Sequence, residues 1–151
     1  MSFSGTSVLL ARLNRNKLRL LSESRLEEAR VLIENKLWTG AYYLTGLAVE
    51  CALKAHLSQA VQQYDLPDKN FVNRIYTHKL KELAQLDVVL WLELESEIKT
   101  NPKLRANWNT VLEWNDQNRY EVLDELEAKS LYAATTEPGT GVMEWIKRRW
   151  K

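Results

Sequence analysis

A chain of 151 residues is expected to form one domain around a single hydrophobic core. With 45% hydrophobic and 27% charged residues, five glycines and three prolines, its composition is that of a globular protein rich in helix formers. The net charge is near neutral, at +1, and the single cysteine excludes an internal disulfide. The sequence has no apolar run of the roughly 20 residues that span a membrane. We therefore expect a cytoplasmic protein without membrane contact.

The charges are concentrated at the two ends of the sequence. Residues 1–20 carry four cations and no acid, and residues 141–151 carry four cations against one acid. Two interpretations are open: the ends meet in a phosphate-binding patch, or each cation solvates a helix end, which the position of Lys147 to Lys151 at a helix C-terminus favours. The leucines within residues 1–20 predict either the start of the first helix or a separate short helix.

The first long helix is predicted to begin at a cap on Ser22 or Ser24 and to end near Lys36. A short turn then leads into a second long helix from Trp38 to Leu57. Helices joined so tightly must lie antiparallel, so this pair is expected to form the spine of the molecule.

The second helix carries a stripe of small side chains at helical spacing. The stripe consists of Ala41, Thr45, Ala48, Ala52 and Ala55. Since small side chains let a neighbouring backbone approach closely, the stripe predicts the tightest packing seam of the protein. Cys51 lies among apolar residues on the same helix and is predicted to be a small buried hydrophobe rather than a nucleophile.

Shorter elements follow. A loop is predicted from Tyr64 to Tyr76, and then helices capped by Thr77, by Asp87 and by Asn101, the last with proline at its first position. Their inward residues are predicted to be Leu80, Leu83 and Ala84, then Trp91, Leu94 and Ile98, then Leu104, Trp108, Val111 and Leu112.

Near the end of the chain, the polar stretch Asn115 to Asn118 is compatible with a loop or a frayed helix. A helix from about Glu121 to Ala134 is predicted to bury Val122, Leu126 and Ala133. A turn at Pro138 to Gly141 and a short closing helix follow. The prediction is one all-α domain over residues 1–151, an up-and-down bundle of four to five main helices with a short C-terminal helix.

Four segments of the sequence share their residue order with a known protein family. The stretch from Trp38 to Ala55, which ends in AYYLTGLAVECALKA, resembles the second helix of prokaryotic HEPN domains. The family's THxLxxL helix is similar to the segment with Thr77, His78, Leu80 and Leu83. Its NW...W....RYE segment is similar to the one with Trp108, Trp114, Arg119 and Tyr120. Its GVLPWIKxxW tail is similar to the one with Gly141, Val142, Trp145, Ile146, Lys147 and Trp150. The resemblance implies a helical bundle, a homodimer, and a nucleotidyltransferase partner in a toxin-antitoxin or defence module.

Many HEPN domains are metal-independent ribonucleases with an arginine followed, after four to six residues, by a histidine. The arginine here would be Arg119, but the positions that should hold the histidine are Asp124, Glu125 and Leu126. Without an imidazole the reaction loses an acid-base group, worth typically about 10²- to 10⁴-fold. His78 could supply one from another helix. The two histidines and one cysteine leave too few ligands for a His/Cys zinc site, and neither a metal nor a cofactor is predicted.

One constellation of polar residues remains, and it carries the functional prediction. It consists of Tyr43, Glu50, Lys54, His78, Asn115, Arg119 and Tyr120. One interpretation is a site for RNA or a nucleotide, with Arg119 on a phosphate and Tyr120 stacked on a base. The other is a structural network in which Glu50 neutralises Arg119 or Lys54. Trp38 and Trp114 are the two tryptophans predicted to have exposed rings.

The expected function is therefore a HEPN-like module that binds RNA or a nucleotide. Two alternatives stay open, a metal-independent ribonuclease with an atypical active site and a structural assembly partner without a ligand.

Overall fold

The structure is a computed structural model that describes residues 14–60 and 69–151. Within these ranges it is an all-α bundle with eight α-helices and no strand. The helices are α1 (Arg15–Glu34), α2 (Trp38–Leu57), α3 (Lys69–Ile75), α4 (Leu80–Leu86), α5 (Val88–Thr100), α6 (Pro102–Leu112), α7 (Glu125–Thr136) and α8 (Val142–Lys147). Short 3₁₀ helices cover Ser58–Ala60 and Asp116–Tyr120.

Helix α1 starts earlier than the sequence predicts. Its N-cap is Asn14, whose side chain accepts a hydrogen bond from the amide of Lys17 at 3.0 Å. The predicted cap at Ser22 or Ser24 is wrong: Ser22 is fully buried within the helix, and its hydroxyl donates to the carbonyl of Ala48 at 3.0 Å. Of the leucine-rich start, residues 15–20 belong to α1, and residues 1–13 lie outside the described ranges.

The turn after α1 is as short as predicted. Lys36 adopts the left-handed conformation, with φ of 60°, that commonly ends a helix, and the amide of Leu37 donates to the carbonyl of Leu32 at 2.9 Å. Helix α2 begins at the next residue and runs back along α1. The predicted antiparallel pair is therefore confirmed.

Helix α2 is the centre of the bundle, packed against α1, α4, α7 and α8. Every member of the small stripe, Ala41, Thr45, Ala48, Ala52 and Ala55, is fully buried. The hydroxyl of Ser22 reaches the backbone of α2 because the stripe lets α1 approach closely. The sequence prediction of a close seam on this face is confirmed.

In the middle of the chain, two of the three predicted helix caps are confirmed, whereas part of the predicted loop is a helix. Residues Lys69–Ile75 of the predicted loop form helix α3, and residues 61–68 are outside the described ranges. Thr77 does not cap α4 itself; Lys79 holds that position, and the Thr77 hydroxyl accepts from the Lys79 amide at 3.1 Å. Asp87 and Asn101 cap α5 and α6 as predicted.

The predicted core positions of α4, α5 and α6 all contribute to the core. Seven of the ten are buried, and the other three, Trp91, Ile98 and Leu112, are partly buried and pack against the core. These three helices thus turn the apolar stripes read from the sequence towards α2 and its neighbours.

The segment after α6 differs most from its prediction. Asp124 caps α7, which starts at Glu125 and turns Ala128, Leu131, Ala134 and Thr135 inwards. The three residues predicted to be buried are instead exposed: Val122 at 98%, Leu126 at 74%, and Ala133. Val122 lies before the helix, and within the helix the face of Ala128 and Leu131, rather than that of Leu126, packs on the core.

The C-terminal residues join the start of α1 to the end of α2. Met143 and Ile146 of α8 are buried, and so are Val142 and Trp145. Trp150 donates from its indole nitrogen to the carbonyl of Ala52 at 3.2 Å. We call residues 148–151 the C-terminal strap, because they lie across α1 and α2 near the start of the first and the end of the second.

Candidate functional site

One side of α2 carries three of the predicted site residues. Tyr43, Glu50 and Lys54 are spaced by seven and four residues, close to two turns and one turn of helix, so they lie on one stripe. Leu47 lies between them and is partly buried. Elements outside α2 add the other candidates at two places along this stripe.

The first group is built around Glu50, which is buried with 3% of its surface exposed. One carboxylate oxygen, Oε1, accepts from the Lys54 ammonium at 2.8 Å and faces Nδ1 of His78 at 2.9 Å. The other oxygen, Oε2, is buried without a hydrogen-bond partner in the described residues. A buried carboxylate needs a cation nearby, and the predicted pairing of Glu50 with Lys54 meets that need.

His78 connects this buried pair to the surface. It lies in the segment between α3 and α4, and 54% of its side chain is exposed. Because Oε1 of Glu50 is an acceptor for Lys54, the Nδ1 atom that faces the same oxygen must carry a hydrogen and donate it. The neutral ring therefore presents Nε2 outward as a hydrogen-bond acceptor.

The second group lies at the other end of the stripe. The guanidinium carbon of Arg119 stands 4.9 Å above the centre of the Tyr120 ring. Interaction with the nearby hydroxyl of Tyr120, and with that of Tyr43, raises the pKa of Arg119. Tyr120 is 73% exposed, and Arg119 is exposed as well. This is a surface cation stacked on a surface aromatic ring.

Two residues hold the second group in place. The 3₁₀ helix Asp116–Tyr120 starts at Asn115, whose side chain accepts from the amide of Gln117 at 2.9 Å. Asn118 is buried and accepts from the amide of Asn115 at 2.7 Å. Asn115 is therefore a cap that shapes the turn. The sequence did not single out Asn118, although its spacing of three residues from Asn115 is that of a reciprocal cap.

The predicted constellation thus forms two groups. Glu50 pairs with Lys54 and His78, so of the two cations predicted to neutralise Glu50 the structure has Lys54, and Arg119 makes no ion pair with it among the described residues. Trp114 is not an exposed stacking ring either, because it is 2% exposed and lies against Gly46 and Tyr43. Trp38 is partly exposed, with the Lys129 ammonium 5.6 Å from its ring centre.

The two basic ends do meet, and three of the four cations of the C-terminal one are neutralised by carboxylates. The Arg19 guanidinium donates to the carbonyl of Lys151 at 2.6 Å. In the tail, ion pairs join Lys147 to Glu23, Arg148 to Glu144, and Arg149 to both Glu93 and Glu97. Lys147, Arg148 and Arg149 are therefore held by carboxylates, which leaves less of the charge of the tail for a phosphate.

His56 also has a structural environment. Its Nε2 lies 2.8 Å from the carboxylate of Asp87, and its Nδ1 lies 3.0 Å from the side-chain amide of Gln59. Burial alone would raise the pKa of Asp87, but hydrogen bonds from His56 and from the amides of Leu90 and Val89 outweigh it and lower that pKa. The pair links the end of α2 to the cap of α5.

Cys51 is half-buried on α2. Burial and the neighbouring Glu50 carboxylate raise the pKa of its thiol to about 11, which suppresses the thiolate at neutral pH.

Comparisons with protein-family models, with curated proteins and with solved structures found no match to this chain. In the described residues, no three His, Cys, Asp or Glu side chains are grouped so that they could hold a metal ion. None of the described helices has the length and apolar character needed to cross a membrane.

Proposed function

We propose that the chain is a HEPN-like helical module that binds RNA or a nucleotide at the surface formed by Arg119 and Tyr120. The observation that carries this proposal is an exposed guanidinium stacked on an exposed tyrosine, with no carboxylate within 4.0 Å of it among the described residues. An unpaired guanidinium offers a planar set of donors to a phosphate. An exposed aromatic ring offers a stacking surface to a base.

The charges around this surface limit the size of the ligand. Asp116 and Glu121 flank Arg119 in the same short segment, and further carboxylates follow it in α7. A long polyanion would bring many phosphates close to these groups. A nucleotide or a short single strand, with one phosphate on Arg119, fits the local charge better than a duplex.

The proposal includes a homodimer and a nucleotidyltransferase partner encoded elsewhere, in a toxin-antitoxin or defence module. The family resemblance implies both partners. Support for a protein contact comes from Val122 and Leu126, which expose 98% and 74% of their surface within one segment. Large apolar side chains so exposed favour a surface that a second protein covers.

A metal-independent ribonuclease is the second candidate, and the hydrogen bond between Glu50 and His78 favours it. A carboxylate that receives Nδ1–H leaves Nε2 free to take a proton from a hydroxyl, as in known acid-base pairs. In this candidate His78 supplies the imidazole that is missing at positions 124–126.

Binding and stability of Arg119→Ala test the main proposal. The matched control is Arg105→Ala, which removes an exposed arginine of α6 that also has no ion pair among the described residues. Calorimetry with nucleoside monophosphates and short RNA should show weaker binding for Arg119→Ala only, with the melting temperature of both variants close to that of wild type. Unchanged binding in Arg119→Ala, or no binding by wild type, would contradict the proposal and leave a structural assembly role.

A further inference from the structure

We propose that the site has two binding points along α2, Arg119 with Tyr120 at one and His78 at the other, so that it selects a ligand of at least two linked nucleotides. The inference rests on the proposed function. It adds a residue role and a ligand length that the proposed function leaves open.

The two binding points lie along one side of α2. Tyr43 packs against Trp114, which directly precedes the segment that carries Arg119 and Tyr120, and Glu50 contacts His78. Tyr43 and Glu50 are seven residues apart on one helix, which gives the same side of α2 and a rise of roughly 10 Å. Between them lies Leu47, which is partly buried. The two polar points are therefore separated by a short apolar stretch of the same surface.

One nucleotide can occupy the binding point at Arg119 and Tyr120. The guanidinium of Arg119 stands 4.9 Å over the Tyr120 ring, so a phosphate on the first and a base near the second belong to a single nucleotide. The phosphate and the base of that nucleotide are then both bound at the first point. A group that contacts His78 must come from the next nucleotide of the strand.

The hydrogen-bonding state of the His78 ring determines which ligand group can bind there. Its Nδ1–H is held by Glu50, so the neutral ring offers Nε2 only as an acceptor. The partner on the ligand must then be a hydrogen-bond donor. In a nucleic acid strand two kinds of group have this property, the 2′-hydroxyl of ribose and the amino groups of the bases. Glu50 is the positioning residue, because it sets which ring nitrogen carries the hydrogen.

Binding of a length series by calorimetry tests the inference. The ligands are nucleoside monophosphates and the matching tetranucleotides, each with adenine and with its uracil or thymine counterpart, in ribose and deoxyribose forms. The variant is His78→Asn, whose side-chain amide can still donate to Glu50 but lacks the Nε2 acceptor. Wild type should bind tetranucleotides about 3- to 10-fold more tightly than monophosphates, as expected for one neutral hydrogen bond.

His78→Asn should remove this gain and leave monophosphate binding unchanged, whereas Arg119→Ala should weaken both classes. A loss confined to the ribose forms assigns the donor to the 2′-hydroxyl, and an equal loss in both forms assigns it to a base; either result supports the second point. Equal affinity of wild type for both lengths, or monophosphate binding that also falls in His78→Asn, would overturn the inference alone. No binding of any ligand by wild type would overturn the proposed function and, with it, the inference.

Discussion

The indole of Trp114 lies directly on the backbone of Gly46. A methyl group added at Gly46 would stand 2.1 Å from the indole carbon Cε2, far inside contact distance. Trp114 is buried, so the ring has no free direction in which to move. The position of the segment that carries Arg119 therefore depends on a residue without a side chain in the middle of α2.

Gly46→Ala should destabilise the protein, although alanine is the better helix former by about 0.5 to 1 kcal/mol. Overpacking against Trp114 should cost about 1 to 3 kcal/mol or more, seen as a lower midpoint in chemical denaturation. The control is Gly40→Ala in the same helix, where the nearest atom is a flexible one, Leu32 Cδ1 at 3.2 Å. Equal stability of the two variants would show that the Trp114 ring does not occupy this position.

Ala48→Leu tests the seam between α1 and α2. Ala48 is fully buried, and its carbonyl accepts from the Ser22 hydroxyl at 3.0 Å. A leucine there should lower the free energy of unfolding by about 1 to 3 kcal/mol. Ala133→Leu, at an exposed position of α7, should change it little. A melting temperature of Ala48→Leu equal to that of wild type would mean that the seam is open.

Cys51 should react slowly with a thiol reagent at pH 8 in the folded protein. Burial, with a smaller effect of Glu50, raises the pKa of the thiol from 9.0 to about 11, so the thiolate fraction falls by about 100-fold. A raised folded-state pKa of a thiol means that the unfolded chain releases its proton first, so stability should fall as pH rises from about 9 to about 11. Fast labelling at pH 8 without denaturant would contradict this.

The proposed contact with one phosphate predicts a shallow salt dependence. Each neutralised phosphate of a single strand contributes a slope of about −0.7 to the logarithm of the binding constant against the logarithm of salt concentration. We expect a slope near this value for a tetranucleotide, and a slope near zero for Arg119→Ala. A slope several times larger would indicate a basic patch that the ion pairs of the tail argue against.

We expect no cleavage of RNA by the purified protein in the absence of metal ions, because positions 124–126 hold Asp124, Glu125 and Leu126 where the ribonuclease motif needs a histidine. In the structure Asp124 is used as the cap of α7, with its carboxylate accepting from the amide of Glu127 at 2.8 Å. Gel analysis of labelled RNA measures the activity. Cleavage by wild type that disappears in both Arg119→Ala and His78→Asn would establish the ribonuclease candidate instead.

The homodimer predicts a mass of twice 17.6 kDa in sedimentation at micromolar concentration. If the exposed segment forms the interface, Leu126→Glu should shift the protein towards monomer without lowering its melting temperature, because Leu126 is 74% exposed. A wild-type monomer at this concentration would contradict the prediction.

The parts of the fold that the sequence predicts well are those governed by local chemistry. Asp87 and Asn101 are readable as caps because each is followed by a helical apolar pattern, and a proline adds to the second. The predicted cap at Ser22 is wrong although it rests on the same local chemistry. A serine can cap a helix, and only the packing of α1 on Ala48 decides that this one is buried. The helix α7 was misplaced because Val122 and Leu126 are apolar but face away from the core.

For the site, the helical spacing of Tyr43, Glu50 and Lys54 is enough to place them on one stripe of α2 and to predict the pairing of Glu50 with Lys54. The contact of His78 with Glu50 joins residues 28 positions apart, and helical periodicity carries no information on such contacts. The burial of Trp114 had one signal in the sequence, a glycine in the interior of a helix, which commonly marks close approach of another group.

The contacts of the C-terminal strap can form only late during synthesis of the chain. Trp150 and its acceptor Ala52 are 98 residues apart, and Arg19 and Lys151 are 132 apart. At about 5 to 20 residues per second, α1 and α2 are made roughly 5 to 20 seconds before the strap exists. During that interval the two helices can pair through their small residues, but the end of the pair stays uncovered.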